Sequence, residues 1–352
     1  MKTARKRPAT YARDVLKRQT EHKFSLRNKQ TKTGCTLMGA ALFHTTILLY
    51  PILPRNLTMN IKNNRMLSFL LVTLIYIAAS ALGIFLYNAL VAKLAWSWWL
   101  SLLVADVAAT VFTFLFSLIF QNASVYDPYW SVQPPVILVC YAIGSSMNVA
   151  RVLALTAVCF WGVRLTANWA YTFHGLSHQD WRYTMLKEKT GAFYPLINFL
   201  GIHLVPTLVV YGCVLPAAYL FQVQTAWNLG SVIFFLLSVS ATVLQGVSDF
   251  QMHRFRKRNR LASPEAKESF IHDGLWKYAR HPNYLGEILM WWGIALSVVC
   301  VAPSAWYLCA GAFANTLLFT FVSLPMAENR QAKKDGFAEY KQTTRMLLPL
   351  RK

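Results

Sequence analysis

Six apolar stretches with at most one charged side chain each dominate this sequence: residues 66–88, 98–120, 193–221, 226–248, 285–302 and 304–325 are all apolar enough, and nearly all long enough, to cross a lipid bilayer. A hydrocarbon core of about 30 Å takes roughly 20 residues of helix. A seventh tract, 134–171, can hold two shorter helices hinged near Gly144-Ser145-Ser146. The expected fold is therefore all-α, a polytopic integral membrane bundle of about eight transmembrane helices. Residues 36–54 suit a ninth span or, because of Pro51 and Pro54, a segment lying on the surface. Composition agrees, since only 14% of the 352 residues are charged while 55% are hydrophobic, and soluble domains carry about a quarter charged residues.

A formal charge of +21 raises nucleic-acid binding as a possibility. The distribution of that charge excludes it. Residues 1–34 hold eleven Lys/Arg against Asp14 and Glu21, and most other cations flank apolar runs, which is the positive-inside pattern. The arm 1–34 reads as a basic tail beside anionic headgroups or an organellar targeting segment. Residues 35–352 read as one membrane domain without internal repeats. Cys35, Cys140, Cys159, Cys213, Cys300 and Cys309 lie in or beside apolar runs without C-x-x-C spacing. They suit core packing, not a disulfide or zinc framework, and no metal site is expected.

The basic loops assign the sides. Residues 249–284 carry eight Lys/Arg and the tail after Met326 carries seven, so both are expected in the cytosol. Counting spans backward adds 121–133 and 172–192 to the same face. The sequons at Asn56 and Asn122 then lie away from the lumen and read as chance. Four polar segments converge where a rigid bundle would position a site.

Each segment has a plain reading and a functional one. In the first, Asp127-Pro128 can start a helix while Tyr126, Tyr129 and Trp130 line the interface, or Asp127 and a tyrosine can hold a polar ligand group. Trp161, Arg164 and Asn168 share one helical face. Arg164 can snorkel to water or mark a ligand path. Asp180, Trp181, Arg182 and Tyr183 offer a phosphate fork and stacking faces, or a solvated interfacial loop. Asp249 ends an apolar run where the helix dipole disfavours it, so it needs a partner or a ligand. The cations that follow, Arg254 to Arg260, suit either an anchor or a phosphate cradle.

The richest stretch is GLWKYARHPNYLGEILMWWG, 274–293. Pro282 can start a helix with His281 near its cap, leaving backbone N–H groups to bind an anion. Asn283 and Glu287 then share a face with Arg280. No charged side chain occurs between 288 and 327. Glu287 is thus the last ionisable group before the bilayer interior, expensive unless paired and a functional candidate.

Taken together, Trp161-Gly162-Val163-Arg164-Leu165, Asp180-Trp181-Arg182-Tyr183, Ser248-Asp249-Phe250-Gln251 and Gly274-Leu275-Trp276 through Glu287 resemble the steroid 5α-reductase-like membrane proteins. More narrowly they resemble the branch labelled DUF1295, over roughly residues 65–352. The resemblance implies NADPH held by the cytosolic half of the last helices, within about 161–352. It implies cofactor contacts from Asp249, Arg256, Asn283, Tyr284 and Glu287, with Arg164, Asp180, Arg182, Tyr183, Trp276, Tyr278, Arg280 and His281 as additions. In steroid reductases a Glu and a Tyr from the N-terminal half polarise the substrate carbonyl. Asp127 and Tyr129 are the nearest chemical equivalents here and are taken as the catalytic pair.

The function expected is NADPH-dependent reduction of a carbon–carbon double bond in a lipid, a steroid-like molecule or another enone. The endoplasmic reticulum is the expected membrane if the chain is eukaryotic, and no obligate protein partner is evident. Two rivals stand beside it. Isoprenylcysteine and phospholipid methyltransferases share the Arg-His-Pro-x-Tyr turn but bind S-adenosylmethionine. A non-enzymatic lipid-binding or transport protein would use Asp106, Arg151 and Glu287 as a polar path.

Overall fold

A computed structural model describes residues 55–349. The arm 1–34, Cys35 and the tract 36–54 with Pro51 and Pro54 lie outside the described residues. The elements in order are α1 (Arg55–Asn63), α2 (Arg65–Leu94), α3 (Trp98–Ile119), α4 (Tyr129–Ile143), α5 (Val149–Thr172), α6 (Trp181–Tyr219), α7 (Leu229–Leu261), α8 (Pro282–Val301), α9 (Pro303–Gln331) and α10 (Phe337–Thr343). No strand occurs among the described residues, and the single β-bridge joins Ala279 to Arg345. Seven helices, α2, α3 and α5 to α9, are long and apolar enough to cross a membrane. The chain is an all-α polytopic membrane bundle. The expected eighth helix, α4, has 15 residues and stops at the Gly144 hinge.

Local chemistry starts most of these helices. Asn64 accepts from the N–H groups of Met66 and Leu67, Asn148 from Arg151, and Asp180 from Arg182. Asn228 and Ser231 form a reciprocal capping box at α7. Two helices contain π turns, Asn198–Leu204 in α6 and Phe319–Ser323 in α9. Each is followed within two residues by a proline, Pro206 and Pro325. A proline has no N–H to donate and its ring crowds the carbonyl four residues back. Those carbonyls belong to Ile202 and Phe321, inside the two π turns, and widening the helix relieves the clash.

Two expected boundaries move. The apolar run ending near 248 continues as helix to Leu261, because no Gly or Pro breaks the Arg-rich stretch before Pro264. Asp249 therefore sits inside α7, not at its end, and the dipole argument for it does not apply. The expected loop 172–192 is helical from Trp181 onward, started by the Asp180 cap.

α7 lies along α8, α2 along α3, α4 along α5 and α6 along α9, with α5 crossing α7. Side-chain volume sets the α7–α8 approach. A Cβ on Gly293 would sit 2.8 Å from Phe234 O, and one on Gly286 would sit 2.7 Å from Ala241 O. Small residues at such crossings let transmembrane backbones meet. On the outer surface, Leu70, Leu74, Ile77, Phe85, Ile233, Leu236, Phe313 and Phe321 are exposed, and a hydrocarbon solvent accounts for them.

Candidate functional site

The shared face of α5 meets α7 and α8. Trp161 Nε1 donates to Glu287 Oε2 at 2.9 Å, and Trp291 Nε1 donates to Glu287 Oε1 at 2.9 Å. One turn on, Arg164 Nη1 donates to Asp249 Oδ2 at 2.9 Å, and its Nη2 contacts Gln245 Oε1. One further turn on, Asn168 Oδ1 pairs with His253 Nε2 at 2.7 Å. Asn283 Nδ2 reaches Asp249 Oδ1 at 3.5 Å. Trp161, Arg164, Asn168, Gln245, Asp249, Asn283 and Glu287 thus form one cluster on three helices, buried at Trp161, Gln245 and Glu287 and partly buried elsewhere, and Asp249 is paired with Arg164.

Glu287 is buried and both its oxygens are satisfied by indoles. In contrast, Arg164 Nε and Gln245 Nε2 are buried without a partner. Orphaned donors of this kind are costly, and they mark where an acceptor from outside the chain fits. Beside them Arg164, Asn168, Asp249, His253, Arg254 and Lys257 line a cavity of about 500 Å³.

A second group comes from the start of α6. Asp180 accepts from the Arg182 backbone N–H at 2.8 Å and from its Nε at 2.8 Å. Tyr183 donates to Asp127 Oδ1 at 2.7 Å. Tyr284 lies within electrostatic reach of Asp180 and Arg182 on one side and of Asp249 on the other, so the two groups adjoin. Burial pushes the Asp127 carboxyl up to about 6, against the opposing effects of the Tyr183 hydrogen bond and of Arg182.

Asp127 and Tyr129 do not form a pair. Tyr129 instead donates to Asp106 Oδ1 at 3.0 Å, deep between α3 and α4. Tyr126 OH bonds Thr207 Oγ1 at 2.7 Å, and Thr207 bonds Thr110 Oγ1 at 2.9 Å. The Tyr126 and Tyr129 rings stack at 5.2 Å, and Tyr76 meets Tyr129 edge-on at 5.7 Å. Asp106 also lines a cavity of about 380 Å³ with Gln133, Tyr87, Asn88 and Tyr141. A lone carboxylate in an apolar run was the signal for Asp106. Its pairing with Tyr129 was not readable, because the two residues come from different helices. Gln245, Thr110 and Thr207 carried no signal in the sequence.

Several expected contacts serve the fold. Arg280 binds both oxygens of Glu328, at 3.0 and 2.9 Å, and His281 Nε2 pairs with Oε1 at 2.7 Å. The N–H groups of Arg280 and His281 donate to the carbonyls of Arg345 and Met346, and that of Tyr284 is also capped by Asn283 Oδ1. Past Pro282 the N–H groups of Tyr284 and Leu285 are taken up by His281 O and Asn283 Oδ1, so the chain itself fills these donors of the anion cradle expected there. Trp276 is buried with its Nε1 on Ser248 O at 3.3 Å. Tyr278 and Arg256 are exposed. Arg151 is buried, with Nε on Leu220 O at 2.8 Å and Nη2 on Val223 O at 3.0 Å. It closes the turn after α6 and is no part of a polar path with Glu287.

A family model described as a protein of unknown function, DUF1295, matches residues 113–344, which include α4 to α10. An uncharacterized protein of Schizosaccharomyces pombe is 25% identical over 193 residues, 49% of this chain. The matched region spans 56% of that relative's length. No solved structure matches.

Proposed function

The chain belongs to the DUF1295 family, and from that premise we propose that it is an NADPH-dependent reductase of a carbon–carbon double bond in a membrane lipid, steroid-like or another enone. One observation carries the reading. A band of polar side chains runs from the cavity lined by Asp106, past Tyr129, Tyr126, Asp127 and Tyr183, to the Arg164–Asp249–Asn283 cluster. It links a space among transmembrane helices with the face that gathers the polar segments. A lipid and a charged cofactor need such an arrangement to meet.

In this reading the polar-loop face is cytosolic. Arg164, Asp249, Asn283 and Tyr284 hold the cofactor from the α7–α8 side, Asp180, Arg182 and Tyr183 from the α6 side. The orphaned Arg164 Nε supports the fit, since it lacks an acceptor that a ribose or phosphate oxygen provides. NADPH supplies the hydride when bound. The lipid carbonyl points at Tyr129, and Asp106 governs where the tyrosine proton goes. When the Asp106 carboxyl carries a proton of its own, it donates to the Tyr129 oxygen, and the Tyr129 O–H turns to the substrate oxygen. That hydrogen bond stabilises the enolate oxygen as charge develops there. The apolar walls exclude water and strengthen it.

Thermal unfolding of the detergent-purified protein with NADPH or S-adenosylmethionine tests the reading, since a ligand stabilises the state it binds. NADPH is expected to raise the Tm, and Asp249→Ala to remove the shift. A Tm raised by S-adenosylmethionine and not by NADPH refutes it.

A further inference from the structure

The first turn of α6 and the end of α9 carry an aromatic and several cations that the site above leaves unused. The Arg330 guanidinium lies 4.4 Å from the centre of the Trp181 ring. Lys334 follows one turn later, and Arg330 and Lys334 both lie within electrostatic reach of Arg256 on α7. α7 and the end of α9 with the turn that follows it therefore bring three cations together. None of them has a carboxylate at ion-pair distance among the described residues. Three other cations on this face do hold carboxylates: Arg182 holds Asp180, Arg258 holds Glu268 and Asp273, and Arg280 holds Glu328. Lys334 feels the mismatch, its ammonium held below the usual lysine range by burial and then by Arg330 and Arg256. Between Arg330 and Lys334 in sequence, Gln331 Oε1 is buried without a partner.

Like charges held together disfavour one another; Asp249 acts only on Arg256 and from beyond ion-pair distance, and a dianion removes the rest of the conflict. A phosphate monoester carries about −1.5 to −2 charges near pH 7 and three strong acceptor oxygens, which arginine forks grip in pairs. The planar Trp181–Arg330 stack adds selectivity for a flat ring over a lipid chain, because a guanidinium seated on an indole presents its other face for stacking. Gln331 Oε1 adds an acceptor suited to an amino or hydroxyl group.

We infer that Arg256, Arg330 and Lys334 form the seat of a phosphate monoester on an adenosine, with the adenine over the Trp181–Arg330 stack. The inference rests on the proposed reductase reading, in which this group is the 2′-phosphate that separates NADPH from NADH. Trp181 directly follows Asp180 and precedes Arg182 and Tyr183, so the seat is continuous with the cofactor residues already assigned. It also explains how a cation cluster away from the filled Pro282 cradle serves an anionic ligand.

The test measures dissociation constants of NADP+ and NAD+ for the full chain in detergent, with an Arg330→Ala/Lys334→Ala variant alongside. The wild type is expected to bind NADP+ at least about ten times more tightly than NAD+, a difference of about 1.4 kcal/mol. The variant should lose the preference, binding the two dinucleotides about equally and with the larger fold-loss for NADP+, while keeping its ligand-free Tm. A variant that retains the NADP+ preference overturns the seat and leaves the cofactor reading standing. Equal losses for both dinucleotides overturn it too, as does displacement of NADP+ by phosphatidic acid added to the micelles, which would make a lipid headgroup the occupant. Wild type that binds neither dinucleotide overturns the seat and the reductase reading together.

Discussion

Replacing Gly286 with alanine tests whether the α7–α8 approach builds the cofactor cluster. The added Cβ would stand 2.7 Å from Ala241 O and 2.5 Å from Gln245 Cγ. Ordinary contact begins near 3.4 Å, so the backbone of α7 must retreat by about 0.7 Å. Gln245 can swing aside, but the carbonyl cannot. Overpacking of this size costs about 1–3 kcal/mol. The retreat falls one helical turn from Asn283 and beside Arg164, where the Asn283–Asp249 contact already stands at 3.5 Å. Losing one such hydrogen bond, about 0.5–1.5 kcal/mol, corresponds to a loss of roughly 2- to 13-fold in affinity. Gly286→Ala should therefore lower the Tm in detergent and weaken NADPH binding by about that factor. Gly144→Ala, at a hinge where an added Cβ meets nothing within 4 Å, is the control. Unchanged Tm and unchanged NADPH affinity in Gly286→Ala would refute the claim that backbone proximity at this glycine shapes the site.

Two further outcomes follow from the same geometry. Glu287→Gln leaves one acceptor oxygen for two indole donors and turns an amide N–H toward the other, so stability should fall by about 1–3 kcal/mol, read by chemical denaturation in micelles. Wild-type stability in that variant would remove the two-indole account. For Asp127, the folded carboxyl titrates near 6 against an ordinary 3.8, so the folded state holds its proton more tightly. Its stabilising contribution is complete below about pH 4 and is lost as pH rises through about 6. The Tm difference between wild type and Asp127→Asn should therefore shift against wild type over that interval, and a pH-independent difference would show that Asp127 does not titrate there.

Much of this was legible because hydrocarbon imposes strong rules on sequence. Every long apolar run among the described residues became a helix, and the hinge at Gly144 stands where it was expected. The shared face of Trp161, Arg164 and Asn168 needed only helical periodicity, and each of the three finds its partner on α7 or α8. Helix ends were harder. Arginine-rich sequence is compatible with both loop and helix, so the extension of α7 to Leu261 was hidden in composition. Pairings between distant helices were hardest. Tyr129 was joined to its near neighbour Asp127, whereas the fold gives it Asp106, a residue 23 positions away. Arg280 and His281 looked like ligand contacts because nothing in the local sequence announces that Glu328 will claim both.

The length of α7 has a consequence for where reactants can meet. Its 33 residues extend about 50 Å, well beyond a hydrocarbon core of about 30 Å. Asp249 stands twenty residues after Leu229, about 30 Å along the axis. With the start of α7 at one surface of the membrane, Asp249 falls at the waterline of the other. The polar band from Asp249 to Asp106 therefore begins at a phase boundary and runs inward. A solute confined to water and a lipid confined to the bilayer can each arrive at one end of it without changing solvent.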